Sequence, residues 1–170
     1  KVEGLVILSP LDNGTYEING QPFDKVILAC GAWLGQTLEP LGFDVDVRPQ
    51  KGQLRDYFFE GMDTGRLPVL MPEGELDVIP FAGGKISVGA SHENDQGFDL
   101  TVDETVLASL EEEAKTYFPD LSTAKSFSER VGTRAYTSDF SPFFGEVPEL
   151  EGVFVASGLG SSGLTTGPLI

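Results

Sequence analysis

The sequence is short of the residue types that build several common kinds of site. Its 170 residues include one cysteine and one histidine. The single cysteine, Cys30, excludes an internal disulfide, and one cysteine with one distant histidine offers too few ligands for a zinc site. The lone His92 is more typical of a solvated or packing residue than of a catalytic base. This cysteine usage favours a reducing compartment, so we expect a cytoplasmic protein.

Basic residues and long apolar runs are also scarce. The chain has 11 basic and 27 acidic residues, for a formal net charge of -16. A surface of that sign does not neutralise phosphates, so nucleic acid and anionic membranes are not expected partners. No apolar run approaches the roughly 20 residues of a membrane-spanning helix, which argues against an integral membrane segment. The chain opens without methionine and closes as a helix begins, so we interpret it as a truncated fragment.

The first part of the chain predicts a hairpin followed by half of a βαβ unit. Residues 4–8 and 15–18 flank Asp12-Asn13-Gly14, and Asn-Gly supplies the positive φ angles of tight hairpin turns. The apolar run Val26-Ile27-Leu28-Ala29 then leads through Gly31 into a predicted helix that reaches about Leu41. In such a unit the first turn of the helix presents free N–H groups beyond the end of the strand.

The middle of the chain predicts an antiparallel sheet covered by a helix. Residues 45–59 and 69–91 have the composition of strands, and Ala82-Gly83-Gly84 predicts a hairpin loop. Thr101 and Glu104 match a capping box, and the helix should end before Pro119. Its Glu111-Glu112-Glu113 run predicts a solvated face. Apolar residues fall on one side of this helix: Val106, Leu107, Leu110, Ala114, Tyr117 and Phe118.

A glycine-rich turn follows the last predicted strand, Val153 to Ala156. The run Gly158-Leu159-Gly160-Ser161-Ser162-Gly163 has the G-x-G-x-x-G spacing of dinucleotide-binding turns. That pattern also needs an acidic residue about 20 positions later, and the chain ends seven residues after Gly163. The run is therefore either a cofactor-facing turn or simply a tight connection.

An arginine in the segment Gly132 to Asp139 is the candidate for binding an anion. The guanidinium of Arg134 suits a planar carboxylate, which it can bind through two parallel hydrogen bonds. The alternative is a surface ion pair with one of the many acidic side chains.

Five blocks in this order resemble the D-amino-acid oxidase superfamily, with glycine oxidase, sarcosine oxidase and D-amino-acid dehydrogenase as similar members. They are residues 26–33, Arg48-Pro49-Gln50-Lys51-Gly52-Gln53, residues 86–91, Gly132-Thr133-Arg134, and residues 158–163. The resemblance implies an α+β fold, in which an antiparallel-sheet substrate domain with covering helices is joined to the last part of an α/β FAD-binding domain. It implies that residues 1–41 belong to the FAD domain, 42–132 to the substrate domain, and 133–170 to the return into the FAD domain.

The resemblance also implies roles for particular residues. Arg134 corresponds to an arginine that pairs with the substrate carboxylate, and the glycine run from 158 to 163 to a segment that faces the flavin. Cofactor contact is further implied for the strand end that contains Ala29, Cys30, Gly31 and Trp33. The chain departs from the family at Ala135, Phe140 and Asp77. The last stands where glycine oxidase has a carboxylate-binding tyrosine, which leaves the substrate open.

The function implied is oxidation of the C–N bond of a D-amino acid, glycine or sarcosine, with FAD as the hydride acceptor. The resemblance places the pyrophosphate-binding fingerprint upstream of these residues, so we do not expect the fragment alone to hold FAD or to be active. The alternative is a non-catalytic binding or regulatory domain that retains the substrate-domain fold without FAD.

Overall fold

The computed structural model describes residues 7–169, which form two compact units. One unit is Gln50–Thr133, and the other combines the residues up to Pro49 with those from Arg134 onward. The family resemblance predicted domain boundaries at 41/42 and 132/133. The contacts between residues in the structure divide the chain at 49/50 and 133/134. The roles of the two units as substrate and FAD domains stay a prediction.

Strands β5 (Arg48–Phe58), β6 (Asp77–Phe81), β7 (Lys85–Gly89) and β8 (Lys125–Tyr136) form one sheet, in the order β6-β7-β5-β8. Strand β7 pairs antiparallel with both β6 and β5. The predicted hairpin around residues 82–84 is confirmed, since Phe81 and Lys85 are the last cross-strand pair before the loop. Alternation along the strands buries one face of this sheet against a helix.

That helix, α2 (Glu104–Tyr117), ends before Pro119 as predicted. Its buried Leu107 and Ala114 lie on the apolar face, whereas Tyr117 is half exposed. The predicted capping box is wrong, because the N-cap is Asp103, whose carboxylate accepts from the N–H groups of Thr105 and Val106. The hydroxyl of Thr101 donates instead to Asp99.

The prediction of a fully solvated Glu111-Glu112-Glu113 face is also wrong at its first residue. Glu111 accepts a 2.8 Å hydrogen bond from the hydroxyl of Tyr57 and pairs with Lys115 at 2.8 Å. Burial raises the pKa of Tyr57, and the adjacent Glu111 carboxylate raises it further. Glu111 therefore ties the helix to β5, while Glu112 and Glu113 are exposed.

The other unit contains two small sheets and two short helices. Strands β1 (Leu8–Pro10), β2 (Tyr16–Ile18) and β3 (Gln21–Phe23) form an antiparallel meander. The predicted hairpin at Asn13-Gly14 is confirmed in this meander, although residues 4–6 of its first strand lie outside the described residues. The second sheet contains β4 (Val26–Leu28), β10 (Val153–Ser157) and β9 (Phe143–Glu146), in the order β4-β10-β9.

Helical turns follow both parallel strands of this second sheet. A 3₁₀ turn, α1 (Leu34–Leu38) and a second 3₁₀ turn ending at Leu41 follow β4, as predicted. After β10 come a 3₁₀ turn and α3 (Gly163–Thr166). The core of this unit is mainly aliphatic and includes the buried Leu28, Leu34 and Val153. With mixed antiparallel sheets and helices the fold is α+β, and no helix within residues 7–169 is long and apolar enough to cross a bilayer.

Candidate active site

Two parallel strands end side by side in glycine turns. Strand β10 pairs with β4 in parallel register, with Val153 opposite Val26 and Val155 opposite Leu28. The glycines that follow have left-handed backbones: φ is +58° at Gly31, +76° at Gly158 and +54° at Gly160. In open sheets with parallel strands, ligands bind beyond the carboxyl ends of the strands. This edge of the sheet is therefore the candidate active site.

Side chains fix the two turns to their surroundings. The hydroxyl of Ser157 donates a 3.0 Å hydrogen bond to the carbonyl oxygen of Gly31, which connects the ends of the two strands. Gly158 is buried, and a Cβ atom there would lie 2.8 Å from Cγ2 of Thr137. Because that separation is shorter than real Cβ contacts, only glycine fits at residue 158.

The outer surface of the turns is open. A Cβ atom built at Gly31 or at Gly160 would meet nothing within 4 Å, so a ligand can approach the backbone closely. The side chain of Trp33 is 48% exposed beside the first turn, and Ala29 is exposed while Cys30 is partly buried. The predicted cofactor residues from the two ends of the chain therefore lie along one edge.

A chain of polar contacts lies in the same unit near the end of β8. Asp46 accepts a 2.8 Å hydrogen bond from Nε of Arg48, and its other oxygen accepts from the backbone N–H and the hydroxyl of Ser138. The bonds from Ser138 lower the pKa of Asp46, and Asp46 in turn raises the pKa of Arg48. Arg134 lies on β8 just before this cluster and is partly buried.

Asp77 lies in the other unit. It is partly buried at the start of β6, an outer strand of the four-stranded sheet, and its cross-strand partner is Gly89. The structure therefore brings together the predicted cofactor residues and leaves Asp77 on a separate unit. The grouping of Asp77 with Arg134 as substrate-binding residues stays a prediction.

A profile described as FAD dependent oxidoreductase matches residues 2–170 of the sequence. The chain belongs to the FAD-dependent oxidoreductase family.

The chain is similar to several curated proteins. One is YurR, an uncharacterized oxidoreductase of Bacillus subtilis, which is 40% identical to this chain over 148 residues. Glycine oxidase of Pseudomonas aeruginosa is 33% identical over 152 residues. These alignments cover 86% and 89% of this chain and 40% of each relative, so the chain spans about two fifths of their length. Among solved structures, iminodiacetate oxidase from Chelativorans sp. BNC1 superposes with a TM-score of 0.90 at 34% identity, over 97% of this chain and 46% of that one.

The residues at the sheet edge fit part of an FAD site. Backbone N–H groups at the first turn of a helix favour partial negative charge, and the open glycines at residues 31 and 160 allow that approach. The third glycine, Gly163, is the first residue of α3, and a Cβ atom there would meet the Cβ of Leu159 at 3.4 Å. This edge can therefore contact a flavin through backbone groups and through the Trp33 side chain.

Several residues at the edge and in the nearby polar cluster were absent from the sequence-based prediction. Ser157 and Thr137 reach the glycine turns through contacts between residues far apart in the chain. Arg48 was part of a recognised block but had no assigned role. The only local signal was that Arg48 is a cation opening a strand, which by itself does not indicate a partner.

The single histidine, His92, has one acidic side chain beside it. Nδ1 of His92 lies 3.4 Å from a carboxylate oxygen of Glu75, and its side chain is partly exposed. Within residues 7–169 no group of three or more histidine, cysteine, aspartate or glutamate side chains could hold a metal ion.

Proposed function

We propose that the whole protein containing this chain oxidises the C–N bond of an amino acid or a small amine, of the D-amino acid, glycine or sarcosine class. Membership of the FAD-dependent oxidoreductase family supports this proposal. The observation that carries it is the pair of parallel strands that end in open glycine turns, tied by Ser157 to Gly31. When bound, FAD supplies the chemistry by accepting a hydride from the carbon next to nitrogen.

The chain's own groups then have two tasks. The segment Gly158, Leu159, Gly160, Ser161, Ser162 and Gly163 presents the first turn of a helix, whose N–H groups stabilise negative charge on the reduced cofactor. Residues 29–33 follow the neighbouring strand β4 and line the same edge of the sheet.

Arg134 holds the substrate carboxylate in this proposal. A bidentate ion pair fixes the amine-bearing carbon in one orientation, which is the main contribution that a positioning group makes to rate. Asp77 is an acceptor when ionised and repels a carboxylate. Asp77 therefore does not take the carboxylate-binding role of the tyrosine that glycine oxidase has at this place.

The relatives support the class of substrate. They are named glycine oxidase and D-amino acid dehydrogenase. The substrates in these names share an amine and a carboxylate on the same carbon, which matches the carboxylate contact proposed for Arg134.

The experiment uses the full-length protein. Its visible spectrum is recorded, and D-alanine, glycine or sarcosine is added without oxygen to test whether the flavin absorbance is bleached. We expect bleaching by at least one amine, and an Arg134→Ala variant should need at least about 100-fold more substrate, since a charged bidentate contact contributes about 3 kcal/mol. Arg66→Ala, on an exposed turn of the other unit, is the matched control.

Each other outcome is informative. A flavin that no amine bleaches would contradict the proposed substrate class while leaving FAD binding intact. A colourless full-length protein would favour the alternative of a non-catalytic binding or regulatory domain. Equal losses in the Arg134→Ala and Arg66→Ala variants would remove Arg134 from substrate binding.

A further inference from the structure

A second arginine lies on the strand next to that of Arg134, and the proposed function gives it no task. Arg48 begins β5, and β8 is the neighbour of β5 in the sheet. Both arginines belong to the same compact unit. The side chain of Arg48 is 56% exposed, so its charge is accessible to a ligand.

Neighbouring groups hold Arg48 in one orientation. Its Nε donates to Asp46 at 2.8 Å, and Asp46 is itself fixed by the backbone and the hydroxyl of Ser138. Asp46 raises the pKa of Arg48, and the side chain of Tyr136 raises it further. A guanidinium has five N–H donors, and the hydrogen bond to Asp46 uses the one on Nε. At least two terminal N–H groups therefore stay available to bind an anion.

The register places Arg48 close to Arg134. Tyr136 and Arg134 are two residues apart on β8, so their side chains emerge from the same side of the strand. Hydrogen bonds join Asp56 to Ser128 and Asp46 to Ser138, so β5 and β8 run antiparallel with Arg48 opposite Tyr136. Arg134 is then the diagonal neighbour of Arg48, and in such pairs the side-chain origins are about 7–8 Å apart. Two guanidinium groups on such positions can converge on two anionic groups of one small molecule.

We propose that Arg48 is a second carboxylate anchor, so that the preferred substrate is a secondary amine that carries two carboxylates. This inference rests on the proposed function. In an amine with two carboxymethyl groups, four bonds of about 1.5 Å separate the carboxyl carbons, which lie about 5 Å apart when extended. That spacing suits one carboxylate on Arg134 and the other on Arg48.

The reaction of such a substrate balances as follows. The carbon beside nitrogen gives a hydride to FAD and nitrogen loses a proton, which forms a C=N bond. Water adds to that carbon and the C–N bond breaks. Iminodiacetate then yields glyoxylate and glycine, while FAD is reduced by two electrons.

The test compares two pairs of matched compounds on the full-length protein. Iminodiacetate and sarcosine differ by one carboxylate, and oxydiacetate and methoxyacetate are their ether analogues, which carry no N–H group. Dissociation constants of the ethers are measured by titration calorimetry, so the result does not depend on turnover. We expect Arg48→Gln to raise the Kd of oxydiacetate at least about 10-fold while leaving methoxyacetate within about twofold, because one charged contact contributes about 1.5–3 kcal/mol.

Turnover gives the second readout. The ratio of kcat/KM for iminodiacetate over sarcosine should fall at least about 10-fold in Arg48→Gln, mainly through KM, and Arg48→Lys should recover part of it. Asp46→Asn serves as a structural control, because it removes the support of Arg48 but keeps its charge. Arg66→Gln controls for the loss of one positive charge.

The outcomes separate the two proposals. Equal weakening of both ethers in Arg48→Gln, or no weakening of oxydiacetate, overturns the second anchor even if sarcosine is oxidised. Selective loss of oxydiacetate binding, with no amine oxidised by the native protein, supports the anchor and refutes the proposed function.

Discussion

Among residues 7–169, Asp56 is the most deeply buried acidic residue, and it accepts several hydrogen bonds. Its side chain is 2% exposed and accepts hydrogen bonds from Arg130 at 2.8 Å, from Ser128 at 2.9 Å, and from the hydroxyl of Ser87. Burial opposes the charge, but the bonds from these three residues lower the pKa of Asp56 below its ordinary value. The carboxylate therefore joins β5, β7 and β8 on the sheet face opposite α2.

We expect Asp56→Asn to destabilise the protein by about 2–4 kcal/mol at pH 7, because it leaves buried donors without a charged acceptor. A folded-state pKa below the unfolded value of about 3.9 means that this stabilisation is complete above that pH. It is lost as the pH falls through the folded-state pKa. The gap between native and variant should therefore narrow below about pH 4, as measured by urea unfolding at several pH values.

Glu113→Gln is the control for this comparison, since Glu113 is an exposed carboxylate on α2. A difference between native protein and Asp56→Asn that stays constant from pH 7 to pH 3 would show that packing, and not the charge, supplies the stability.

At the scale of elements, the start of α2 depends on a residue that the sequence pattern did not indicate. The Thr101–Glu104 spacing predicted a capping box, yet Thr101 bonds to Asp99 and the cap is Asp103. The backbone N–H of Asp103 is bound by the buried amide oxygen of Gln53 at 2.8 Å. A contact between residues 50 positions apart therefore decides where the helix begins.

We expect Asp103→Ala to lower the free energy of unfolding by about 1 kcal/mol, the usual effect of removing an N-cap. Thr101→Ala should cost only about 0.5 kcal/mol, since it removes one exposed hydrogen bond. Urea unfolding of the two variants against the native protein measures the difference. A larger loss for Thr101→Ala would restore the capping box as the correct description.

The elements that the sequence pattern predicted are those with apolar periodicity. Strands β4, β5, β7 and β10 carry buried residues and were expected, as was the amphipathic α2. The pattern missed β3, β8 and β9, each of which buries at most one side chain. A strand that buries few side chains shows only a weak period of two, which is the pattern that reveals a strand in a sequence.

In the candidate site, too, the sequence predicted some features and missed others. Glycine spacing predicted the two turns, because positive φ angles are a local property of the backbone. Ser157, Thr137 and Arg48 act through partners on other strands, and no local pattern encodes such partners. The glycine turns could therefore be located from sequence, but the contacts that support them could not.

At the scale of the whole molecule, charge is the main global property. The chain has 16 more acidic than basic residues and a pI near 4.2. Ion pairs such as those of Arg55 with Glu104 and Glu129 offset only part of the repulsion among carboxylates. Net charge of this size destabilises a compact state through self-repulsion, and added salt screens that repulsion.

We therefore expect the melting temperature at pH 8 to rise as sodium chloride increases from 20 to about 500 mM, because screening favours the folded state of a strongly acidic chain. Differential scanning calorimetry measures this, with potassium chloride as the control for an effect specific to sodium. Most exposed ion pairs contribute at most about 1 kcal/mol each, so their screening should not reverse the trend. A melting temperature that falls with salt would mean that the ion pairs, including the network around Arg55, outweigh the net repulsion.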